Sequence, residues 1–342
     1  MRPARALLAM LAAAMLAGCG SLDSQDLVHD LRMLAQRSDP ADQVFNLPFL
    51  RADGGVPTFL DGGPIFYDDG GLDPDAVILL AGTLSTVQPV EVTTLIADPD
   101  GGGRSIHYQY ATCVELGDGG RCDLSQQGAF ALSEGDFVPD GGWGELPVTL
   151  KPTTDQMLAT FVDDPYFGLG GYITLPVQLH ISAGSEDVWG YKRVVFSMRF
   201  ANDAPETPNQ NPYIPALDLD QNIWSETLPP TLVDRRAYDI APVVPAAAEE
   251  NYTRPLFTGG SLSFQESWRY NFFATAGGFS SFGTGGSSNI GSGDNPTDSQ
   301  WTPKDTDGPQ NVTYFVVVRD GRGGEGWAVR TAQFAPTIPA KN

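Results

Sequence analysis

FVVVRDGRGGEGWAVRTAQF, residues 315–334, joins an apolar run to an alternating run through a segment rich in glycine. Gly321, Gly323 and Gly326 spell G-x-G-x-x-G, the spacing of a dinucleotide-binding loop. Such a loop needs a helix after the glycines and an acidic residue about twenty positions later. Residues 327–332 instead alternate like a strand, and two prolines follow them closely. We therefore predict a β-hairpin with the glycines at its tip, and no nucleotide ligand.

The same order of features occurs a second time in the chain. LPVQLHISAGSEDVWGYKRVVF, residues 175–196, resembles residues 313–334: each has an apolar strand, a polar turn, a tryptophan and a second strand. IHYQYATC at 106–113 likewise resembles WRYNFFATAG at 268–277. Two similar halves predict two copies of one all-β domain, divided within a Pro/Asn-rich stretch at 202–217.

The hairpin also resembles a known family. Residues 316–324 follow the pattern V-x-V-x-D-x-x-G-G, which precedes the final strand in bacterial PKD/cadherin-like immunoglobulin-fold domains. Residues 92–113 resemble the other half of that signature, and residues 266–279 resemble its counterpart in the second domain. The resemblance covers most of residues 88–200 and 205–335. It implies a fold much more strongly than a function.

The resemblance implies an all-β fold with two immunoglobulin-like β-sandwich domains in tandem. The sequence departs from the family in a long insert and in a Gly/Ser-rich loop at 277–299. The expected parts are sandwich 1 at 27–203, its loop insert at about 41–87, a linker at 204–212, sandwich 2 at 213–336 and a tail at 337–342.

Residues 27–38 fit two different elements. Leu27, Leu31 and Leu34 have helical spacing, so periodicity alone favours a helix. In the envelope lipoproteins that this chain resembles, a segment of this kind forms the first strand of the first domain. On that resemblance we predict a strand.

The amino terminus has the pattern of a bacterial lipoprotein signal. Two arginines precede an apolar run that is too short to span a bilayer. The run ends in Leu16-Ala17-Gly18-Cys19, which resembles a lipobox, where cleavage precedes a cysteine that then receives lipid. The alternative is an ordinary secretory signal with a chance cysteine. We predict a signal peptide at 1–18 and a lipidated tether at 19–26.

Lipid on Cys19 implies a stable membrane anchor, because each buried CH₂ contributes about 0.8 kcal/mol. Gly20 and Ser21 follow the cysteine, without an Asp. By resemblance to Gram-negative lipoproteins, this favours the outer membrane. The expected location is therefore the outer membrane, with the chain facing the periplasm or the cell surface.

Composition excludes one class of partner. The formal net charge is -22, from 20 Lys and Arg against 42 Asp and Glu. Such a surface repels phosphate backbones, so we expect no nucleic-acid binding.

Two cysteines remain beside Cys19. Cys113 and Cys122 flank a turn that contains Asp-Gly-Gly, and in an oxidising envelope they most simply form a disulfide. A metal site is the alternative, but it would need further ligands, and His29, His107 and His180 do not cluster in sequence.

Calcium is the best cofactor candidate. It prefers several converging carboxylate and carbonyl oxygens. The segments ADPDGG at 97–102 and DLDQN at 218–222 offer such groups, and neither is a complete EF-hand loop. The alternative is that these acids form turns. The candidate ligands are Asp98, Asp100, Asp218 and Asp220.

Tryptophans offer a second kind of site, because exposed indoles can stack on sugars. The candidates are Trp143, Trp224 and Trp301. No G-x-S-x-G motif occurs, and the histidines fall near the tether or on predicted strands. We therefore expect no catalytic residues and no enzyme.

The predicted fold and the predicted cellular location together lead to a functional hypothesis. We expect a lipid-anchored envelope module that acts in binding, adhesion or structure, with envelope proteins or glycans as partners. The alternative is a glycan-binding or polysaccharide-processing accessory protein.

Overall fold

The computed structural model describes residues 25–51, 57–67, 71–117, 119–163, 171–203, 207–245, 248–255, 261–286, 296–304 and 308–336. The predicted signal peptide, Cys19 and the tail at 337–342 lie outside these residues. Strands hold about 50% of the chain and helices 8%, so the fold is all-β, as predicted. Among the described residues, no helix has the length and apolar character needed to span a bilayer.

The elements of the first half, in chain order, are β1 Arg32–Asp39, β2 Asp42–Asn46, β3 Leu50–Arg51, β4 Pro57–Thr58, α1 Pro74–Leu84, β5 Val90–Ala97, a 3₁₀ turn Pro99–Gly101, β6 Ile106–Thr112, β7 Phe130–Phe137, β8 Trp143–Leu150, α2 Thr154–Asp163, β9 Tyr172–Ala183 and β10 Glu186–Arg199. Those of the second half are β11 Ala216–Leu219, β12 Asn222–Ile223, β13 Thr231–Leu232, β14 Tyr238–Val243, β15 Asn251–Pro255, β16 Ser261–Gln265, β17 Arg269–Ala274, β18 Gly278–Phe279, β19 Gly283–Gly285, β20 Ser299–Thr302, β21 Gln310–Arg319 and β22 Glu325–Phe334.

Each half forms a sandwich of two sheets. In sandwich 1 the sheets are ordered β1-β5-β8 and β2-β10-β9-β6-β7. In sandwich 2 they are ordered β12-β11-β14-β20-β18 and β13-β22-β21-β17-β19. In each half the first strand, β1 or β11, lies in one sheet. A later strand, β2 or β13, lies in the other sheet and pairs in parallel with the last strand of that half, β10 or β22. The two halves therefore share one immunoglobulin-like topology.

The quoted stretch is the last hairpin of sandwich 2. β21 and β22 pair antiparallel from Gln310 and Phe334 to Arg319 and Glu325. Gly321 and Gly323 lie at the turn, as predicted, whereas Gly326 lies in β22 opposite Val318. β21 is apolar from Phe315 to Val318 because both of its faces are buried there. Val316 and Val318 belong to the core of sandwich 2, whereas Phe315 and Val317 belong to a second apolar cluster.

That second cluster joins the two sandwiches, and we call it the joint. It lies between β1 and β5 of sandwich 1 and β17 and β21 of sandwich 2. The members of the joint come from the outer face of one sheet in each sandwich, so the two sandwiches pack through these sheet faces. The buried members of the joint are Val28, Leu34, Ala35, Leu95, Ala97, Phe273, Phe315 and Val317.

From Arg32 onward the segment at 27–38 forms a strand, as the resemblance implied, whereas residues 28–31 lie in no strand and Leu27 forms only an isolated bridge. β1 pairs with β5 from Arg32 to Asp39. Leu31 contacts the core of sandwich 1, whereas Leu34 and Ala35 contact the joint. A strand buried on both faces lacks simple alternation, and here its leucines fall at a helical spacing by coincidence.

The region at 41–87 is more than the loop insert expected. β2 pairs with β10, and Phe45, Leu47 and Phe49 are buried in the core of sandwich 1. α1 begins after Asp73, whose side chain accepts a hydrogen bond from the Asp75 amide, and it buries Leu80 and Leu84 in the same core. The described part of this region therefore belongs to the sandwich.

Candidate functional site

The turn between β21 and β22, residues 320–324, is the hairpin tip. The Asp320 carboxylate accepts hydrogen bonds from the amides of Arg322 and Gly324 and from the Asn209 side chain at 2.7 Å. The Gly323 carbonyl accepts a hydrogen bond from Lys192 Nζ at 2.5 Å. The tip therefore binds the linker and sandwich 1, and the glycine motif serves to join the domains.

Two physical demands explain the glycines of this motif. Gly321 and Gly323 have φ of +78° and +111°, which residues with a side chain adopt at a cost. Gly326 has a different reason, because a Cβ there would lie 2.0 Å from the Pro212 carbonyl oxygen. The linker thus passes directly against the backbone of β22.

Charged groups buried near the hairpin tip are paired with one another. Arg322 forms ion pairs with Glu250 at 3.2 Å and Glu266 at 3.0 Å. Burial raises the pKa of Asp320 and lowers the pKa of Lys192. Asp320 accepts hydrogen bonds from Asn209 and the turn amides, and Lys192 donates to the Gly323 carbonyl and lies 3.6 Å from Glu325. Because each perturbed group has partners of this kind, we assign them a structural role.

A different group of side chains lies on the outer side of the five-stranded sheet of sandwich 1, and we call it the aromatic face. β9 and β10 place its central residues side by side, because Trp189 pairs with His180 in the register and Tyr191 pairs with Gln178. Trp189, Tyr191 and Arg193 alternate along β10 and so share one side of the sheet. The aromatic face consists of Arg121, His180, Asp187, Trp189, Tyr191 and Arg193.

Contacts fix the geometry of the aromatic face. The His180 and Trp189 rings are stacked with centroids 3.9 Å apart and an interplanar angle of 9°. Arg121 places its guanidinium carbon 4.2 Å from the Trp189 ring centroid. Asp187 accepts hydrogen bonds from His180 Nε2 and from Trp189 Nε1, and these bonds lower the Asp187 pKa, His180 contributing most. The carboxylate therefore stays ionised and orients both rings.

A disulfide loop brings Arg121 to this face. Cys113 and Cys122 are bonded, as predicted, with a Cα–Cα distance of 5.6 Å. Gln178 on β9 accepts from the Cys122 amide at 3.1 Å and donates to the Gly120 carbonyl at 3.0 Å. These two hydrogen bonds attach the disulfide loop to β9, and this attachment places Arg121 over Trp189.

The four candidate calcium ligands are not brought together. Asp98 forms two hydrogen bonds with Arg104 at 2.8 Å each, and Asp220 pairs with Arg236. The Asp100 amide donates to the His29 carbonyl, and Asp218 lies on β11 in the other sandwich. Across the described ranges, no group of three or more His, Cys, Asp or Glu side chains is placed to hold a metal.

Two of the three candidate tryptophans do not present stacking faces to solvent, and the third, Trp143, is half-buried. Trp224 is 3% exposed and Trp301 is 0% exposed, and both pack on Tyr314 in the core of sandwich 2. Trp143 lies edge-on to Phe315 at the joint. Large aromatic rings gain most from burial, which is the physical reason for this correction.

The sequence did contain a signal for the aromatic face. W-x-Y-x-R at 189–193 places two aromatic rings and a cation on one side of a predicted strand. The other side of the same strand carries Val194 and Phe196, which favour burial, so the side with Trp189, Tyr191 and Arg193 is expected to face solvent. His180 and Arg121 carry no such signal, because register and a disulfide loop bring them there.

Chemically, this arrangement suits binding. Flat rings, two guanidinium groups and a fixed carboxylate lie on an open sheet surface. His107 adds a neighbouring polar group, because β6 pairs with β9 and sets His107 opposite Ser182, two residues from His180 on the same side of the sheet.

Comparisons with known proteins add no function. No family model matches the chain, and no curated protein matches it in sequence. Among solved structures it is similar at 10% identity to Escherichia coli alpha-2-macroglobulin activated by porcine elastase, covering 94% of this chain and 23% of that one, with a TM-score of 0.21. A YadV chaperone matches at 10% identity over 86% of this chain and 98% of its own, with a TM-score of 0.23. A Porphyromonas gingivalis W83 protein of unknown function matches at 9% identity over 89% and 99%, with a TM-score of 0.18. The chain spans under a quarter of the first of these, and at such TM-scores none supports an argument.

Proposed function

We propose that this chain is a non-catalytic binding module of the bacterial cell envelope, held at the outer membrane by lipid on Cys19. The lipobox-like residues Leu16 to Cys19 support the anchor. The two sandwiches joined through an apolar cluster support a rigid body that projects a surface.

The aromatic face is the observation that carries this proposal. Tyr191 is 46% exposed, and its neighbours Trp189, His180 and Asp187 are held in place by one another before any ligand arrives. Groups that are already oriented lose less conformational entropy on binding. An open sheet surface of this kind fits a large partner better than it fits a small substrate.

A glycan is the second candidate ligand. Tyr191 and Tyr172 offer exposed rings, and Asp187, Arg193 and His107 offer groups that bond to hydroxyls. Sugars present apolar ring faces edged by hydroxyl groups, which match this combination.

A binding experiment tests the aromatic face. The full chain with Cys19→Ser is passed over immobilised outer-membrane proteins and, separately, envelope polysaccharides. We expect retention on one of them, reduced about tenfold by Tyr191→Ala, because such anchors commonly contribute more than 1 kcal/mol. Tyr213→Ala, at an exposed tyrosine directly after the linker, is the matched control. No retention on either matrix, or equal loss in both variants, would contradict the proposal.

A fractionation experiment tests the anchor. The wild-type chain expressed in a Gram-negative host is expected in the outer-membrane fraction, and Cys19→Ala is expected to lose that location. Alkaline carbonate should leave the wild type attached. Release of the wild type in the soluble fraction would refute lipidation at Cys19.

A further inference from the structure

Two arginines of the aromatic face have no acidic partner, although the chain is strongly acidic. Arg121 and Arg193 are both exposed, and across the described ranges neither side chain makes an ion pair or a hydrogen bond. Arg104 and Arg322, by contrast, each pair with two acids. With 42 acidic residues against 20 Lys and Arg, carboxylates are plentiful in this chain. The guanidinium groups of Arg121 and Arg193 therefore stay available to an anion from outside.

The stacking around Trp189 decides which groups a ligand can reach. The His180 ring centroid lies 3.9 Å from the Trp189 ring centroid, and the Arg121 guanidinium carbon lies 4.2 Å from the same ring. Two groups this close to one ring cannot lie on the same side of it, because their atoms would overlap. They therefore cover opposite faces of the indole. A ligand meets the Arg121 guanidinium rather than a bare tryptophan face.

Arg121 is held in place before any ligand binds. Its guanidinium rests on Trp189. On either side of it in the chain, the Gly120 carbonyl and the Cys122 amide are bonded to Gln178. A guanidinium is planar and carries its N–H donors in a fixed fork that matches the two oxygens of a carboxylate, and such charge-assisted pairs are strong. The oriented fork favours a ligand that carries carboxylates.

Two acids near Arg121 already have donors of their own. Asp187 accepts hydrogen bonds from the histidine and tryptophan rings of the stack. Asp123, in the disulfide loop, accepts hydrogen bonds from the Ser125 amide at 2.9 Å and the Ser125 hydroxyl at 2.7 Å. Neither carboxylate takes a hydrogen bond from Arg121, so the guanidinium fork remains open.

Two further acids on this side of the sheet lie too far away to neutralise the arginines. Glu134 and Asp136 belong to β7, and the sheet order β10-β9-β6-β7 puts three strand spacings between them and β10. Strands lie about 4.8 Å apart, so this distance is about 14 Å. It exceeds the screening length of about 8 Å at physiological salt. The part of the aromatic face on β9 and β10 can therefore bind an anion despite the net charge of -22.

The face suits a sugar chain better than a peptide. β9 pairs with both β10 and β6, so its amides and carbonyls are used within the sheet. Extended peptides bind chiefly by main-chain hydrogen bonds to a free strand edge, whereas here a ligand meets side chains. Tyr191 is 46% exposed, and the Arg193 guanidinium carbon lies 5.7 Å from its ring centroid. An exposed ring beside a cation matches a sugar that has an apolar face and a carboxylate.

We propose that the aromatic face binds a polysaccharide whose sugars carry carboxylates. One carboxylate binds the Arg121 fork, a sugar ring lies on Tyr191, and another carboxylate binds Arg193. Trp189, which carries Arg121, and Arg193 are four positions apart on β10, so the site extends over about 13 Å and takes several linked sugars. This inference rests on the proposed function, because it names the ligand of the same face.

Fluorescence polarisation of dye-labelled hexamers, titrated with the full chain carrying Cys19→Ser, gives the test. Hexagalacturonate and hexamannuronate share the carboxylate and differ in the sugar, and at least one should bind with a dissociation constant on the order of 100 μM. The methyl ester of that hexamer keeps the sugars without the charge and should bind about tenfold more weakly, because charge-assisted hydrogen bonds are lost. Hexaglutamate, which has carboxylates without sugar rings, should bind about fivefold more weakly, because it places no ring on Tyr191.

Arginine variants separate the aromatic face from other surfaces. Arg121→Gln and Arg193→Gln should each weaken binding of the hexamer about fivefold, because each removes a charged donor. Arg254→Gln on β15 is the matched control, because Arg254 is also exposed and its guanidinium carbon lies 5.5 Å from the Tyr252 ring centroid. Binding by this control should equal that of the wild type.

The outcomes that overturn the inference are distinct from those that overturn the proposed function. Binding of neither carboxylated hexamer, equal binding of the methyl ester or of hexaglutamate, or equal loss in all three arginine variants would overturn the inference. If retention on outer-membrane proteins still depended on Tyr191, the proposed function would stand without it. Absence of Tyr191-dependent retention on every matrix would contradict the proposed function itself.

Discussion

Asp98 illustrates how a single residue acquires a role other than the one its motif suggests. Its carboxylate is buried and accepts two hydrogen bonds from Arg104, which also pairs with Glu186. These hydrogen bonds raise the Arg104 pKa, Asp98 contributing most. Both oxygens of Asp98 are therefore used by a cation of the chain itself, so calcium would have to displace Arg104.

Arg104→Met is expected to destabilise the protein by about 2 kcal/mol, because it leaves the buried Asp98 carboxylate without its charged donor. The free energy of unfolding from urea titration measures the loss. Arg236→Met is the control and should cost less, since Arg236 is half exposed in its pair with Asp220. Equal losses in the two variants would contradict this reading of Asp98.

Asp42→Asn is expected to change how stability depends on pH. Burial raises the Asp42 pKa, although Ser197 donates to both of its oxygens. The folded state then holds this proton more tightly than the unfolded state. Wild-type stability should accordingly fall, relative to the variant, as the pH rises from about 4 through the raised pKa. Paired urea titrations between pH 4 and 8 measure this, and a difference independent of pH would contradict it.

Among the elements, β21 shows what the sequence could and could not predict. The hairpin followed from alternation in residues 327–332 and from the glycines. The run of four apolar residues at 315–318 signalled a strand buried on both faces, but not what covered its outer face. That partner is the side of β1 and β5 that carries Leu34 and Leu95, and it is distant in sequence.

The candidate sites also divide into those that the sequence could predict and those that it could not. Cys113 and Cys122 were predictable because they are near neighbours in an oxidising compartment. The burial of Trp224 and Trp301 was not, because a tryptophan in sequence looks the same in a core and on a surface. Arg121 reached the aromatic face through hydrogen bonds with Gln178, and such contacts leave no local pattern.

Gly326→Ala is expected to loosen the contact between the hairpin and the linker, since its Cβ would clash with the Pro212 carbonyl. Stability should fall by about 1–3 kcal/mol, and limited proteolysis should cut more quickly at 207–212. Gly321→Ala is the matched control. It is strained by its positive φ but meets no atom within 4 Å, so linker cleavage should stay at the wild-type rate. Equal cleavage of both variants would show that the clash is unimportant.

Cys113→Ser with Cys122→Ser is expected to cost about 2–3 kcal/mol, because the disulfide closes a short loop in the unfolded chain. Urea titration with and without reductant measures the effect. Reductant should destabilise the wild type by the same amount and leave the double variant unchanged. A double variant as stable as the oxidised wild type would contradict a stabilising role for the loop.

At the scale of the whole molecule, the two sandwiches share buried surface. The joint is reinforced by polar contacts that cross it, including Trp327 Nε1 to Glu145 at 2.7 Å and the Gln36 amide to Glu325 at 3.0 Å. Apolar contact supported by hydrogen bonds couples the stability of one sandwich to that of the other.

The wild type is therefore expected to unfold in a single calorimetric transition. Val28→Asp places an unpaired charge in the joint, where burial is very costly, and should split the transition into two. Val233→Asp, at an exposed position of sandwich 2, should keep one transition. Two transitions in the wild type would show that the sandwiches are independent.

The segment before β1 has a mechanical consequence. The Val28 amide donates to the Ala274 carbonyl and the Ala274 amide donates to the Asp26 carbonyl, so this strip lies along β17 before the chain enters sandwich 1. If lipid holds Cys19, as proposed, a fully extended chain from Cys19 to Asp26 reaches only about 25 Å. A pulling force from the membrane would enter where the sandwiches meet and load the strip in shear. The force would then act on both sandwiches at one attachment point, instead of passing through one sandwich to reach the other.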